Sequence, residues 1–179
     1  MIHQSRTELL RKMPKQSVCA ELGVFCGDFS DQILHVTDPK KLFLVDLFHG
    51  LTISGDEHGN NVRTVDMGRK RFELDVKYQG KHVSIVKSES YEWLLGQGQS
   101  TLDWIYIDTT HEFEQTMHEL LGAMRVVKPN GFICGHDYAE KYFGVVKAVN
   151  LFVRHYSLDL SIYDGDGLAS FCIVNGKAF

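Results

Sequence analysis

Apolar and polar positions follow two alternating patterns along the chain. Short apolar runs, each about as long as a buried strand, are separated by longer segments in which apolar residues recur with a helical period. This alternation is typical of a parallel sheet whose strands are joined by crossover helices. The predicted strands of this sheet are Val18 to Val24, Leu42 to Val45, Val83 to Val86, Leu102 to Ile107 and Phe132 to Gly135.

The segments between these runs predict the helices. A helix after the first strand is capped by Asp28 or Ser30 and ends before Asp38-Pro39. The best-defined helix carries apolar residues on a single face, and they are Phe113, Met117, Leu120, Leu121 and Met124. Three further helices carry Val62, Val65, Phe72 and Val76, then Tyr91, Trp93, Leu94 and Leu95, and finally Val145, Val146, Val149 and Phe152.

The remaining segments predict turns, a loop and a hairpin. His49 to Asn61 is glycine-rich and without period, which predicts a loop over the sheet edge of the kind that often serves as a lid. Lys128 to Gly131 predicts a tight turn in which Asn-Gly supplies positive φ. Leu158 to Tyr163 and Leu168 to Val174 flank Asp-Gly-Asp-Gly and predict an antiparallel hairpin. Together these elements predict one α/β domain over residues 1–179, a Rossmann-like three-layer sandwich with a seven-stranded, mostly parallel sheet that ends in the hairpin.

Composition and charge limit the classes of partner that are expected for this chain. A formal net charge of -4 provides no basic field for a nucleic-acid backbone, so a nucleic-acid partner is not expected. No apolar stretch approaches the roughly 20 residues that cross a bilayer, so no membrane partner is expected either. The four cysteines contain no C-x-x-C pair, which favours free thiols and a reducing, cytoplasmic setting. The oligomeric state cannot be inferred from these features.

Candidate chemistry lies at the strand ends, since ligands of such sheets bind beyond the carboxyl ends of the strands. Glu21 is followed by Gly23 and Gly27 at the end of the first strand. The dinucleotide fingerprint would require a third glycine, so the pair indicates either a tight turn or a different cofactor loop. Asp46 ends the second strand and could accept hydrogen bonds from ribose hydroxyls, cap a helix or remain solvated.

Three later segments carry a family resemblance. They are Ile107-Asp108-Thr109-Thr110-His111-Glu112-Phe113-Glu114, Val127-Lys128-Pro129-Asn130-Gly131 and Gly135-His136-Asp137-Tyr138. Together they resemble the motifs I-D-G-D-H-x-Y-E, L-K-P-G-G and G-x-D-Y of the macrocin O-methyltransferase and cephalosporin hydroxylase-like branch of class I S-adenosylmethionine-dependent methyltransferases. Glu21 to Gly27 is similar to motif I of the same class, and the resemblance extends from about Val18 to Val174.

The resemblance implies that S-adenosylmethionine is the cofactor and that it binds at the strand ends. Ser88 or Glu89 would reach the amino group of the adenine, and the other residue would cap the next helix. The residues implied to bind the cofactor are Glu21, Gly23, Gly27, Asp46, Ser88, Glu89 and Asp108.

A divalent ion is implied as well, because relatives hold one with carboxylates after the fourth and fifth strands. Asp108, His136 and Asp137 occupy those positions here. Mg²⁺ prefers oxygen ligands, so His136 shifts the expectation toward Mn²⁺, Fe²⁺ or Zn²⁺, or toward a site without metal.

The catalytic residues implied are His111, Asp108 and Asp137. Thr109-Thr110 stands where the family pattern has Gly-Asp, which removes a carboxylate and leaves His111 as the candidate base. Alternatively, His111 caps the helix at Glu112 or braces Asp108.

The predicted reaction is transfer of the sulfonium methyl group to a small-molecule acceptor, with an oxygen atom as the nucleophile. Two other functions stay open. One is an S-adenosylmethionine-binding module without turnover, because a fold does not prove catalysis. The other is a nucleotide-dependent oxidoreductase on a similar sheet, which the missing third glycine disfavours.

Overall fold

A computed structural model describes residues 6–54, 63–165 and 168–176. Helices and strands alternate through most of this chain, as the hydrophobic pattern predicts. The helices are α1 (Arg6–Lys12), α2 (Asp28–Thr37), α3 (Met67–Lys77), α4 (Ser90–Gly96), α5 (Phe113–Val126) and α6 (Phe143–Tyr156), with a 3-10 turn at Glu140–Tyr142. The strands are β1 (Val18–Leu22), β2 (Lys41–Asp46), β3 (Leu51–Ser54), β4 (Arg63–Asp66), β5 (Val83–Lys87), β6 (Leu102–Ile107), β7 (Val127–Gly135), β8 (Leu160–Tyr163) and β9 (Ser170–Val174).

The main sheet has seven strands in the order β5-β2-β1-β6-β7-β9-β8. Strands β5, β2, β1, β6 and β7 are parallel, whereas β9 pairs antiparallel with both β7 and β8. The predicted Rossmann-like sheet ending in an antiparallel hairpin is therefore confirmed. Chain order reverses between β1 and β6, and a ligand crevice is expected at the carboxyl ends of these two strands.

Both faces of the sheet are covered, which explains why its strands are almost continuously apolar. On one face, Leu9 of α1, Ile33 of α2 and Leu74 of α3 pack against the strands. On the other face, Leu94 of α4 and Leu120 of α5 pack together with α6. Within the described ranges, no helix is long and apolar enough to span a bilayer.

The segment around the predicted lid loop differs from expectation. Leu51–Ser54 is strand β3, and it pairs antiparallel with β4, in which Val65 lies. The predicted helix therefore begins only at Met67, while Val62 and most of the predicted loop lie outside the described residues. Its expected apolar face is also wrong, because Phe72 and Val76 are exposed and Leu74 is the residue that packs on the sheet.

Smaller differences concern caps, turns and one missed helix. Neither Asp28 nor Ser30 caps α2, because Gly27 with a φ of 82° occupies the N-cap. At the predicted Lys128 to Gly131 turn, β7 already runs through the segment with a register shift against β6, and Asn130 alone has positive φ. Helix α1 was not predicted. The hairpin strands begin two residues later than predicted, at Leu160 and Ser170.

Candidate functional site

The ends of β1 and β6 meet so closely that only glycine fits between them. The amide of Gly23 donates to the carbonyl of Val45 (2.9 Å), and the amide of Asp108 donates to the carbonyl of Leu22 (2.8 Å). Gly23 has a φ of 85°, and a Cβ on it would lie 1.8 Å from the carbonyl oxygen of Asp108. Gly23 is thus required for the packing that brings Asp108 to the crevice, whether or not a cofactor touches it.

Asp46 braces the two loops that border the crevice. Its Oδ2 accepts hydrogen bonds from the amides of Val24 (2.8 Å) and Phe25 (3.0 Å), and its Oδ1 accepts one from the amide of Phe48 (2.8 Å). A carboxylate offers about four lone-pair sites, so one site on Oδ1 is left for a ribose hydroxyl. Of the alternatives for Asp46, the geometry fits a loop brace that can also bind one hydroxyl.

We expect Asp46→Ala to weaken binding of S-adenosylhomocysteine by about 1.5 to 3 kcal/mol, the range for hydrogen bonds to a charged group. Titration calorimetry measures this change in affinity. A thermal melt of the variant shows whether losing the hydrogen bonds between Asp46 and the loops has also destabilised the fold. The matched control is Glu73→Ala, since Glu73 is an exposed carboxylate on α3 whose ion pairs, among the described residues, are with Arg69 and Lys70. Equal affinities of Asp46→Ala and wild type would contradict the ribose placement.

Glu21 is a buried carboxyl group at the end of β1. Its side chain points toward α2, where Ser30 donates a hydrogen bond to Oε2 (2.5 Å), and the residue is 1% exposed. Burial raises the pKa of Glu21 from 4.5 to about 8, although the Ser30 hydrogen bond opposes this shift. The charges of Asp108 and Asp46 raise the pKa further, whereas Arg6 lowers it. Glu21 is therefore largely protonated at neutral pH in the ligand-free chain.

The raised pKa of Glu21 predicts a loss of stability as the pH rises. Between 4.5 and about 8 the folded chain holds a proton that the unfolded chain releases. Its contribution to the free energy of unfolding is complete below 4.5 and falls by up to about 1.4 kcal/mol per pH unit across this window. Urea denaturation across this pH range should show that slope as the difference between wild type and Glu21→Gln. Parallel pH profiles would show that Glu21 does not titrate in this window.

Two cavities open on either side of Asp108. The first, of about 250 Å³, is lined by Asp46, Leu47, Ser88, Glu89 and Gln115 among others, at the ends of β2 and β5. The resemblance places the adenosine at these strand ends. Of the two adenine candidates, Glu89 caps α4 by accepting from the amide of Tyr91 (3.0 Å), whereas the Ser88 hydroxyl donates to the carbonyl of Glu89 (3.0 Å).

The second cavity, of about 540 Å³, lies toward β7 and the amino-terminal helix. Its walls include Glu21, Phe29, Asp108 and Asp137, together with Arg6 from α1. The Arg6 guanidinium lies 4.9 Å from the centre of the Phe29 ring, and its Nη1 is 3.9 Å from Asp108 Oδ2. The cavity therefore combines an apolar wall with charged groups of both signs.

Carboxylates and imidazoles meet between the second cavity and the sheet. His111 Nε2 lies 2.5 Å from Asp137 Oδ2 and 3.9 Å from Asp108 Oδ1. His136 Nδ1 lies 3.2 Å from Asp137 Oδ1 and 3.7 Å from Asp108 Oδ2. The His111 ring stacks on Tyr142 with centroids 4.4 Å apart. The structure thus brings all the predicted catalytic residues together. Glu112, and not His111, occupies the N-cap position of α5, where its side chain makes no capping hydrogen bond.

The charges in this cluster shift the pKa values of His111 and Asp137. The neighbouring carboxylates of Asp108 and Asp137 raise the pKa of His111 to about 9. Burial raises the pKa of Asp137, but the stronger combined effect of His111 and His136 holds it well below its usual range. In the ligand-free chain at neutral pH, His111 is therefore an imidazolium paired with a carboxylate. A role as base requires that an acceptor or an ion displace this proton.

One ligand atom from each of Asp108, His111 and Asp137 lies within 4.8 Å of the other two. Two carboxylate oxygens and one imidazole nitrogen form a donor set that Mn²⁺, Fe²⁺ and Zn²⁺ accept. Although His111 Nε2 is close to Asp137, it is buried and makes no well-directed hydrogen bond. Such an atom fits a metal ligand. His136 was expected in the ligand set and does not belong to the group that the described residues form.

Four residues that follow strands in this region have positive φ although they are not glycine. They are Phe25 (50°), Phe48 (43°), His111 (64°) and Asp137 (59°). This left-handed conformation costs a residue with a Cβ roughly 1 to 2 kcal/mol. The strand ends of the candidate site are therefore conformationally strained.

Sequence reasoning missed two residues of the site, Arg6 and Gln115. Arg6 reaches the second cavity only because α1 packs beside α2, and α1 is too short for a clear periodic signal. Gln115 reaches the first cavity from α5. No sequence motif marks its position, so only the fold places it there.

Comparison with known families supplies the class of protein. Residues 20–138 match the methyltransferase domain family Methyltransf_24. The chain belongs to this methyltransferase family. Membership confirms the predicted class, an S-adenosylmethionine-dependent methyltransferase, and it disfavours the oxidoreductase alternative. The macrocin-type branch stays a prediction. No curated protein matches the methyltransferase significantly.

Solved structures share the fold of the methyltransferase at low sequence identity. The Streptococcus mutans protein SMU.1697c, in complex with SAH, is 12% identical with a TM-score of 0.67, covering 94% of each chain. A precorrin-6y C5,15-methyltransferase from Geobacter metallireducens GS-15 is 12% identical with a TM-score of 0.66, covering 94% of this chain and 85% of that one. An rRNA methylase from Streptococcus thermophilus is 10% identical with a TM-score of 0.64, covering 97% and 98%. At these identities the likeness shows the fold.

Proposed function

We propose that the methyltransferase transfers a methyl group from S-adenosylmethionine to an oxygen atom of a small-molecule acceptor. The observation that carries this proposal is the position of Asp137. This carboxylate is 4% exposed, lies against His111 and His136, and lines the second cavity beside Asp108. A buried carboxylate that orients an imidazole at a cavity wall is the arrangement needed to accept a proton from an acceptor hydroxyl.

The two cavities suit the two substrates of such a transfer. The adenosine would occupy the first cavity, with Asp46 binding the ribose and Glu89 and Ser88 near the adenine. The methionine part would pass Gly23 and Glu21 toward the second cavity. Direct displacement requires the acceptor oxygen, the methyl carbon and the sulfur in line, and Asp108 borders both cavities where that line would lie. The shared sheet supports one domain over residues 1–179.

A divalent ion fits the site as a further cofactor. Asp108, His111 and Asp137 would hold it, and His136 would stabilise the carboxylate of Asp137 from behind. When bound, the ion lowers the pKa of an acceptor hydroxyl and orients it. Without an ion, His111 would take the proton only in its neutral form, and Asp137 and Tyr142 hold its ring in place.

The small-molecule acceptor is supported by the size of the second cavity and by the net charge. A volume of about 540 Å³ lies within the usual range for small-molecule sites. The chain has a formal net charge of -4, which does not favour a nucleic-acid acceptor. The rRNA methylase shares the fold alone, and its acceptor does not carry over to this chain.

A titration and a turnover screen test the proposal together. We expect S-adenosylhomocysteine to bind, and formation of S-adenosylhomocysteine from S-adenosylmethionine to rise with some hydroxylated acceptor. The screen should be run with EDTA and with Mn²⁺, Fe²⁺ or Zn²⁺, because the ion and His111 predict different metal dependence. Tight cofactor binding with no product in any combination would favour the binding module instead.

A further inference from the structure

A buried polar cluster next to the first cavity has no part in the chemistry described so far. At its centre is Glu119 of α5, which is 0% exposed. Glu119 accepts hydrogen bonds from the hydroxyls of Ser90 (2.5 Å) and Thr109 (2.8 Å) and from Gln115 Nε2 (3.1 Å). Burial raises the pKa of Glu119, and these three donors oppose the shift. A carboxyl group buried with only neutral donors is costly, which calls for an explanation.

The cluster fixes the orientation of the Gln115 side-chain amide. Gln115 Nε2 carries two protons and lies within hydrogen-bond distance of three acceptors, Ser90 Oγ (2.8 Å), Glu89 Oε1 (3.0 Å) and Glu119 Oε1 (3.1 Å). Two of these partners are carboxylates, which accept only, and Ser90 uses its own proton toward Glu119. The amide nitrogen must therefore face the cluster, and the amide oxygen must face the other way. Rotating the amide by half a turn would set an oxygen against two carboxylates.

Gln115 lines the first cavity, so a ligand there would lie beside its side-chain amide. No described residue donates a hydrogen bond to Gln115 Oε1. Two neighbouring candidates already have structural roles, because Glu89 accepts from Tyr91 and Gln115 through its two oxygens and the Ser88 hydroxyl donates to a carbonyl. Gln115 Oε1 is an acceptor whose direction is set and to which no described residue donates.

We propose that Gln115 Oε1 accepts a hydrogen bond from the exocyclic amino group of the cofactor's adenine, and that Glu119 is a positioning residue that holds the amide in this orientation. The inference rests on the proposed function, since it assumes that the adenosine occupies the first cavity. An acceptor fixed in this way selects a 6-amino purine. It rejects a 6-oxo purine, because two oxygen acceptors would then face each other without a proton between them.

The test is a comparison of binding constants for two ligands, measured by calorimetry. The ligands are S-adenosylhomocysteine and S-inosylhomocysteine, which differ in the amino or oxo group at purine C6. We expect wild type to prefer the adenosyl compound by about 10- to 100-fold. Gln115→Met keeps the size of the side chain without its acceptor, and the preference should fall by at least about tenfold. Glu114→Ala, an exposed neighbour on α5, should retain the wild-type preference.

A second variant tests the positioning role. Glu119→Gln keeps the shape but can donate toward Gln115, which allows the Gln115 amide to rotate. We expect its preference for the adenosyl ligand to fall while its affinity for the inosyl ligand rises, a change that simple destabilisation would not produce. A thermal melt of each variant verifies folding. Should Glu119→Gln misfold, Ser90→Ala removes one contact of the same cluster and should lower the preference in the same direction.

The outcomes separate this inference from the proposed function. If wild type binds neither ligand, both are wrong. If wild type binds S-adenosylhomocysteine but Gln115→Met retains the full preference, the adenine contact alone is wrong. If Gln115→Met loses the preference while Glu119→Gln and Ser90→Ala keep it, the positioning role of Glu119 is wrong.

Discussion

Asp137→Asn should reduce methyl transfer by about 10²- to 10⁴-fold, the usual contribution of a positioned acid-base group. The substitution removes the charge that pairs with His111 and that would hold an ion, yet it keeps the shape of the side chain. Asparagine also tolerates the φ of 59° at this position, whereas alanine would add strain. Affinity for S-adenosylhomocysteine should change much less than the rate, because the adenosine would occupy the first cavity, which Asp137 does not line.

The rate is measured as the initial rate of methyl transfer to the acceptor that the screen identifies. The affinity is measured by calorimetric titration with S-adenosylhomocysteine. Asp75→Asn is the matched control, since Asp75 is an exposed carboxylate on α3 that lines neither cavity and forms an ion pair with Arg71. Its rate should equal that of wild type. Retained turnover in Asp137→Asn would remove Asp137 from the mechanism. A parallel loss of cofactor binding would show instead that its role is to hold the crevice together.

Gly23→Ala should lower the free energy of unfolding by about 2 to 5 kcal/mol, the combined cost of a left-handed alanine and of overpacking. The added Cβ would lie 1.8 Å from the Asp108 carbonyl oxygen, so the ends of β1 and β6 would have to separate. The midpoint of urea denaturation measures the effect. Cofactor binding should weaken too, because the crevice widens.

Gly80→Ala separates the two causes of this destabilisation. Gly80 has a φ of 76°, close to that of Gly23, but a Cβ there meets nothing within 4 Å. Gly80→Ala should lower the free energy of unfolding only by the cost of a left-handed alanine, about 1 to 2 kcal/mol. Equal losses of stability in the two variants would mean that the close approach of β1 and β6 does not contribute. Gly23 would then matter only for its backbone freedom.

The sheet could be predicted from the sequence because its strands are buried on both faces. Burial on both sides demands continuous apolar runs, and these are visible without any structure. The small β3–β4 sheet offered no such signal, since Leu51 is 72% exposed and Ile53 is 73% exposed. Helix α1 was missed for a related reason, because its contact with the core depends on Leu9 and Leu10 alone.

Only those residues of the candidate site that lie at strand ends could be predicted from the sequence. Asp46, Asp108 and Asp137 end or follow parallel strands, and such ends meet at one edge of a sheet. Gln115 could not be found in this way, because it reaches the cavity from within a helix. The candidate metal ligands also depend on side-chain direction. The fold turns His111 toward the carboxylates as a third donor, whereas the resemblance had implied His136.

The strained residues at the strand ends limit how this protein can be made more robust. Glycine at the exposed Phe25 would relieve the left-handed backbone and raise tolerance to heat, yet it would also loosen the loop that Asp46 holds. A library selected only for survival of heating should therefore accumulate changes at Phe25 and lose methyl transfer as it does so. Resistance to heat and catalytic rate would have to be improved in separate parts of the molecule, away from this edge.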